Sequence, residues 1–288
     1  MNGSMLLIIA VLMLGLGLGL TVEDFRRVRH HRLTIAVALG CQLLVLPLVC
    51  FGIVSLIGLP PYAAVGLMLV SAAPGGPLAG LYSHLFGGDV AFNLTLTAVN
   101  SVLSVFTLTI ITNLSLAHFL PDEDGVGLHG GEIARVFAVV LVPIALGMLV
   151  RARASRGFAD RAERVFRIVS ALGLGLLIVG GLTSNLSVLT ANLTTVFPAV
   201  LLFAAASLAT GYAAGRLTRA GSAVSIAAGM EIGFHNAAVS LTLALSIADD
   251  FSIAIPPSIY GLTIMIVAAV FGFVLRRLSA DPAPAATA

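Results

Sequence analysis

Glu231, His235 and Asn236 fall within the six-residue stretch Glu231-Ile232-Gly233-Phe234-His235-Asn236. A carboxylate, an imidazole and an amide so spaced can ligate a cation, exchange a proton or hydrogen-bond an anion. Their setting is what makes them informative: they sit in an otherwise apolar run from Val224 to Ile247. A run of that length crosses a bilayer, because about 20 residues rising 1.5 Å each traverse a hydrocarbon core of roughly 30 Å. Ionisable groups at mid-membrane are costly in lipid and mark a polar pathway or binding site by default. The plainer alternative, polar glue between helices, suits a lone Ser or Asn better than a Glu followed four residues later by a His. Gly233 between them lets the helix stop and release carbonyl oxygens.

A second stretch, Ala73-Pro74-Gly75-Gly76-Pro77, offers backbone chemistry instead. Its prolines remove N–H donors and clash with preceding carbonyls, so no regular helix passes through it. The alternative is a simple kink, but two facing breaks at membrane depth form a site for ions and anions. On the same count Gly76 and Pro77 are candidate substrate contacts, with His84 just beyond, either another contact or an interface residue. Gln42 lies in another apolar run, and Asn93, Thr97 and Asn100 recur on one face of a third. The sequence holds no His-Glu-x-x-His, no Cys-x-x-Cys, no phosphate loop and no nucleophile elbow, so no enzyme is expected.

The elements that position these residues are membrane helices. Of 288 residues 59% are hydrophobic and 10% charged, against about 25% charged in soluble domains. Nine spans can be read, near 4–22, 33–56, 62–86, 90–116, 130–150, 165–187, 194–215, 222–248 and 254–275. All fifteen basic residues are Arg. Fourteen fall in four clusters: Arg26 to Arg32, Arg151 to Arg167, Arg216 with Arg219, and Arg276 with Arg277. Nine spans put all four clusters on one side and the acidic connector at Asp122-Glu123-Asp124 on the other. The positive-inside rule then places the N-terminus outside and the C-terminus in the cytoplasm. Arg without Lys, with much Ala, suggests a bacterial source and hence the inner membrane. Residues 279–288 read as a disordered tail.

The chain also repeats itself. Gly15-Leu-Gly-Leu-Gly-Leu20 recurs as Leu172-Gly-Leu-Gly-Leu-Leu177, and each precedes one of the two breaks by a matched interval. The paired spans run in opposite senses, which is the pattern of an inverted-topology repeat with one interrupted helix per half.

These residues resemble the bile acid:sodium symporter family. The likeness rests on the Gly-Leu-rich first span, Gln42-x4-Pro47, Ala73-Pro74-Gly75-Gly76 and Glu231-x-Gly233-x-His235-Asn236, where the family typically has Gln in place of His235. Against ten-span relatives the chain reads as lacking the first span. The resemblance implies a panel unit (about 4–22 and 130–187) and a core unit (about 33–116 and 194–275), two broken helices that cross, and substrate bound between the units. It also implies sodium sites. One would use Gln42, Glu231 and the carbonyls of Ile232 and Phe234, with His235 replacing the last Gln. The other would use Asn93, Thr97 and Glu231, while the family's Ser-Asn pair is here Ala79-Gly80. Asn236 matches a family residue near the substrate.

The expected protein is therefore an all-α secondary carrier, a single transmembrane domain over residues 1–288 that moves a small organic anion by alternating access. Its partners would be that anion and the lipid bilayer, with no nucleic acid and no cofactor beyond sodium as coupling ion. Two coupling schemes stay open: sodium held by Gln42, Glu231 and the break carbonyls, or protons carried by a Glu231–His235 pair. An uncoupled carrier or exporter of the same fold, and a non-transporting receptor, are the alternatives.

Overall fold

A computed structural model of the chain describes residues 3–76, 78–121, 130–184, 186–247 and 250–279. They are almost wholly helical. Helix α1 (Gly3–Gly19) leads through short α2 (Val22–Arg26) into α3 (Arg32–Gly40), which a π turn at Cys41–Val45 joins to α4 (Leu46–Ile57). Then come α5 (Pro61–Ala72), α6 (Ala79–Leu85) and α7 (Val90–Phe119). After them run α8 (Gly130–Arg153), α9 (Arg156–Ser184), α10 (Leu186–Leu217), α11 (Ser222–Gly233), α12 (Ala237–Ile247) and α13 (Ile255–Ser279). Among the described residues, four helices are long and apolar enough to cross a membrane: Arg32–Ile57, Val90–Phe119, Leu186–Leu217 and Phe251–Arg277.

The surface has the polarity of a bilayer protein. Leu48, Leu56, Leu114, Leu176 and Ile266 are all well exposed, while Glu231, Asn93, Asn100 and Gln42 are buried. That inverts the soluble pattern, in which charged groups almost never lie fully inside. The protein is a multi-pass membrane protein. Helix α1 packs chiefly on α8 and α9, whereas α10 packs on α11 and α13, and α5 on α7. The tightest contacts use small residues, as membrane helices do. A Cβ on Gly211 would press on the Ala228 carbonyl and one on Gly147 on the Leu14 carbonyl.

Several expected boundaries move. The basic connector from Arg151 to Arg167 is mostly helix: α8 runs to Arg153 and α9 starts at Arg156. Arg is a good helix former, and Arg151 bridges the two helices to Asp160 at 2.6 Å. Helix α10 starts at Leu186, ahead of the expected 194. Its early polar residues bond back along the helix, Thr190 to the Leu186 carbonyl and Asn192 to that of Val188. Pro77, the connector residues 122–129 and most of the tail lie outside the described residues; Ser279, the first residue of the expected tail, instead closes α13.

Candidate functional site: a crossing of two broken helices

Helix α5 ends at Ala72 and resumes as α6 at Ala79; α11 ends at Gly233 and resumes as α12 at Ala237. The interruptions meet. Gly75 and His235 pair as an isolated antiparallel bridge. The Gly76 N–H donates to the Phe234 carbonyl, and the Asn236 N–H donates to the Pro74 carbonyl at 2.8 Å. Each break thus satisfies backbone groups of the other, which is how irregular backbone survives away from water. In a continuing helix the Asn236 N–H would have closed on the carbonyl of Ile232, so the crossing releases that oxygen. The Phe234 carbonyl keeps a lone pair beyond the one Gly76 uses.

Glu231 stands on the last turn of α11, fully buried. Its carboxylate lies where a side chain on Gly75 would otherwise be, since a Cβ built there collides with Oε1. The Thr97 hydroxyl of α7 lies beside it but is committed to the Asn93 carbonyl at 3.0 Å. Asn93 donates through Nδ2 to the Ala227 carbonyl at 3.2 Å and so ties α7 to α11. Gln42 reaches the crossing from the π turn. There the Leu46 N–H bonds to the Cys41 carbonyl, five residues back, and Pro47 has no N–H to give the carbonyl of Leu43. Gln42 Nε2 donates to the Ala73 carbonyl at 3.1 Å and lies 3.2 Å from His235 Nδ1.

His235 and Glu231 part company at the break. The imidazole stacks on Phe203 with centroids 5.2 Å apart, and its Nε2 is 3.3 Å from the Ser207 hydroxyl. Both Glu231 oxygens lack any hydrogen-bond partner, so the two groups are not hydrogen-bonded to each other. Asn236 is the N-cap of α12: its Oδ1 accepts from the Val239 N–H at 3.2 Å, a role the sequence reading missed although Asn is a favoured cap. Ser207, Phe203 and Tyr260, whose hydroxyl donates to the Gly233 carbonyl, were not singled out either. Their only signal is polarity or an aromatic ring in an apolar run. His84 is exposed on the last turn of α6.

The unpartnered atoms here are donors of the kind a hard cation takes. Six buried side-chain oxygens or nitrogens among the described residues have no partner, and three of them are Gln42 Oε1 and the two Glu231 oxygens. Both residues abut the first break, Gln42 at Ala73 and Glu231 at Gly75. A buried carboxylate without a partner is costly, and hard oxygen donors suit hard cations.

Residues 6–192, well over half of the chain, match the Sodium Bile acid symporter family. The chain belongs to this family. The match covers Gln42, the first break, Asn93 and Thr97 but ends before Glu231; likeness to individual relatives extends further. A rice protein (Oryza sativa subsp. japonica) named probable sodium/metabolite cotransporter BASS2, chloroplastic, is 28% identical over 251 residues, covering 86% of this chain and 58% of the rice protein. A Bacillus subtilis protein named uncharacterized sodium-dependent transporter YocS is 24% identical over 252 residues, covering 88% of this chain and 76% of the other. The mouse sodium/bile acid cotransporter 4 is 28% identical over 151 residues, 49% of this chain and 33% of the mouse protein. The chain spans little more than half the length of the rice relative. Relatives in this family are named as transporters rather than enzymes.

Proposed function

We propose that the chain is a sodium-coupled symporter for a small organic anion. The observation that carries this reading is that Gln42 and Glu231, both set against the first break, carry buried oxygens with no partner. Sodium, as co-transported ion, would be ligated there by Gln42 Oε1, the Glu231 carboxylate and the carbonyls of Ile232 and Phe234. Asn93 and Thr97 stand on α7 beside Glu231 as candidate ligands for a second ion. With no hydrogen bond between Glu231 and His235, and the imidazole turned to Gln42 and Ser207, protons carried by that pair are disfavoured. The anion would lie at the crossing near Gly76 and Asn236, where the N-terminal dipole of α12 favours negative charge; His84, exposed at the end of α6, would meet it only on its way in or out.

In this reading nine spans form an inverted repeat. A panel of α1, α8 and α9 rocks against the remaining helices, and the bound ion and anion together favour the occluded crossing. In the same reading the Arg clusters, by the positive-inside rule, would put the N-terminus outside and the C-terminus in the cytoplasm, with a bacterial inner membrane as the setting. Cysteine reporters at Ser155 and Ala280 should label only from the cytoplasm and one at Gly125 only from outside. Two positions flanking one span but labelled from one side would remove that span.

The deciding experiment has two stages. Organic anions are screened by thermal shift of the purified protein, each with sodium chloride and with choline chloride. A hit is then followed as uptake into proteoliposomes at fixed pH. Sodium-dependent accumulation is the expected result. Undiminished uptake in choline, driven instead by an imposed pH gradient, would overturn sodium coupling. Binding without counterflow would overturn transport.

A further inference from the structure

We infer that His235 is a positioning residue for the ion site: its imidazole fixes the Gln42 amide so that the oxygen, not the nitrogen, faces the cation. This rests on the sodium reading above.

The argument is one of donors and acceptors. The Gln42 amide group 3.1 Å from the Ala73 carbonyl must be the nitrogen, because a carbonyl only accepts. That same nitrogen is 3.2 Å from His235 Nδ1 and carries only hydrogens, so Nδ1 must accept. The ring proton is then on Nε2, which faces the Ser207 hydroxyl at 3.3 Å. Ser207 in turn donates to the Phe203 carbonyl at 2.8 Å. The chain closes without a spare hydrogen: both amide hydrogens of Gln42 are used, on Ala73 and His235. The rival arrangement puts the proton on Nδ1, aimed at the Ala73 carbonyl 3.4 Å away. It would set that proton against the hydrogens of Gln42, and turning the amide over to relieve this would press two carbonyl oxygens together at the 3.1 Å contact.

The consequence falls on Gln42 Oε1. With its nitrogen held twice, the amide cannot rotate, and the oxygen is left buried with no protein partner. Stacking on Phe203 and edge contact with Tyr260 at 5.6 Å hold the ring itself. His235 thus serves the cation without touching it. Pre-orienting an oxygen ligand avoids the entropy of ordering it on binding, which raises ion affinity.

The test reads sodium binding directly on the full-length purified protein, as the rise in melting temperature with sodium chloride over choline chloride at constant ionic strength. His235→Phe keeps the ring and its stacking but removes the acceptor. It is expected to raise the half-saturating sodium concentration about tenfold, the order of one lost hydrogen bond. His235→Gln returns an acceptor oxygen within reach of Gln42 and should stay within about threefold of the parent protein. A residue that only filled space would lower the melting temperature in choline and leave the sodium midpoint alone. Ser207→Ala, which removes only the partner of Nε2, should raise the midpoint about threefold and serves if His235→Phe does not fold. A midpoint within twofold of the parent in His235→Phe, or in Ser207→Ala where the former is unfolded, overturns the inference. So does an equal rise in His235→Phe and His235→Gln. Failure of the sodium reading looks different: the parent protein itself would show no sodium-specific shift.

Discussion

The first break gives the crossing backbone and room, while the second gives it side chains. Between Ala73 and Leu78 nothing charged is present, and the two glycines matter for what they leave out. A Cβ on Gly75 would displace the Glu231 carboxylate, and one on Gly76 would come within 2.9 Å of the Phe234 carbonyl. The second break carries Glu231, His235 and Asn236 in six residues, and its glycine looks away from the crossing: a Cβ on Gly233 would strike Leu208 of α10. The two interrupted segments have thus taken opposite tasks. The pairing of Gly75 with His235 makes the division workable, because removing side chains on one strand opens volume for those on the other.

The largest test of this division removes the acid. Glu231→Ala should abolish the sodium-specific thermal shift while barely changing stability in choline. Relief of a buried carboxyl group without a partner, about 1–3 kcal/mol when it is protonated, opposes a cavity cost of similar size. A retained sodium shift would show that the ion sits elsewhere.

Next is the smallest addition to the other strand. Gly75→Ala should raise the sodium midpoint at least about tenfold, because its one methyl must move the carboxylate. Gly40→Ala on α3, where a Cβ meets nothing within 4 Å, is the control and should leave the midpoint unchanged. Equal behaviour of the two alanines would mean that the room at Gly75 has no role in binding.

A third variant separates the two uses of Asn236. Asn236→Asp keeps the oxygen that caps α12 but replaces an amide donor with negative charge. Stability in choline should hold, whereas the thermal shift from an anion found by screening should disappear. Asn236→Ala, by contrast, should cost about 1 kcal/mol through the lost cap.

The sequence exposed the second break more readily than the first. A Glu inside an apolar run announces itself by desolvation cost alone, and Pro74 and Pro77 announce an interruption. What it could not give was the partnership. That Glu231 lies on Gly75, or that Gln42 reaches Ala73, depends on contacts 31 residues apart for Gln42 and across both halves of the chain for Glu231. The i, i+4 spacing of Glu231 and His235 would give one face only in an unbroken helix, and the helix ends between them at Gly233. The π turn at Gln42 was legible only as Pro47 five residues on, whose missing N–H disturbs the helix without saying which way Gln42 will be aimed. Ser207 and Tyr260 carry no sequence signal that separates them from other polar groups on membrane helices.

The smallest expected effects compare two hydroxyls, one at each break. Ser71, a turn before the first break, donates to the Met68 carbonyl at 2.7 Å, three residues back on its own helix. Tyr260 donates to the Gly233 carbonyl from a different helix, 27 residues away. The Ser71 bond is local and survives in any state that keeps α5 helical, so Ser71→Ala should change stability by less than about 0.5 kcal/mol. Tyr260→Phe removes a contact that only the assembled crossing makes. The Gly233 carbonyl still accepts from the His235 N–H at 3.1 Å, so it is not orphaned, and the cost should be about 1 kcal/mol. Thermal unfolding in choline measures both. If Ser71→Ala costs as much as Tyr260→Phe, the first break depends on its side chains as the second does, and the division between them fails.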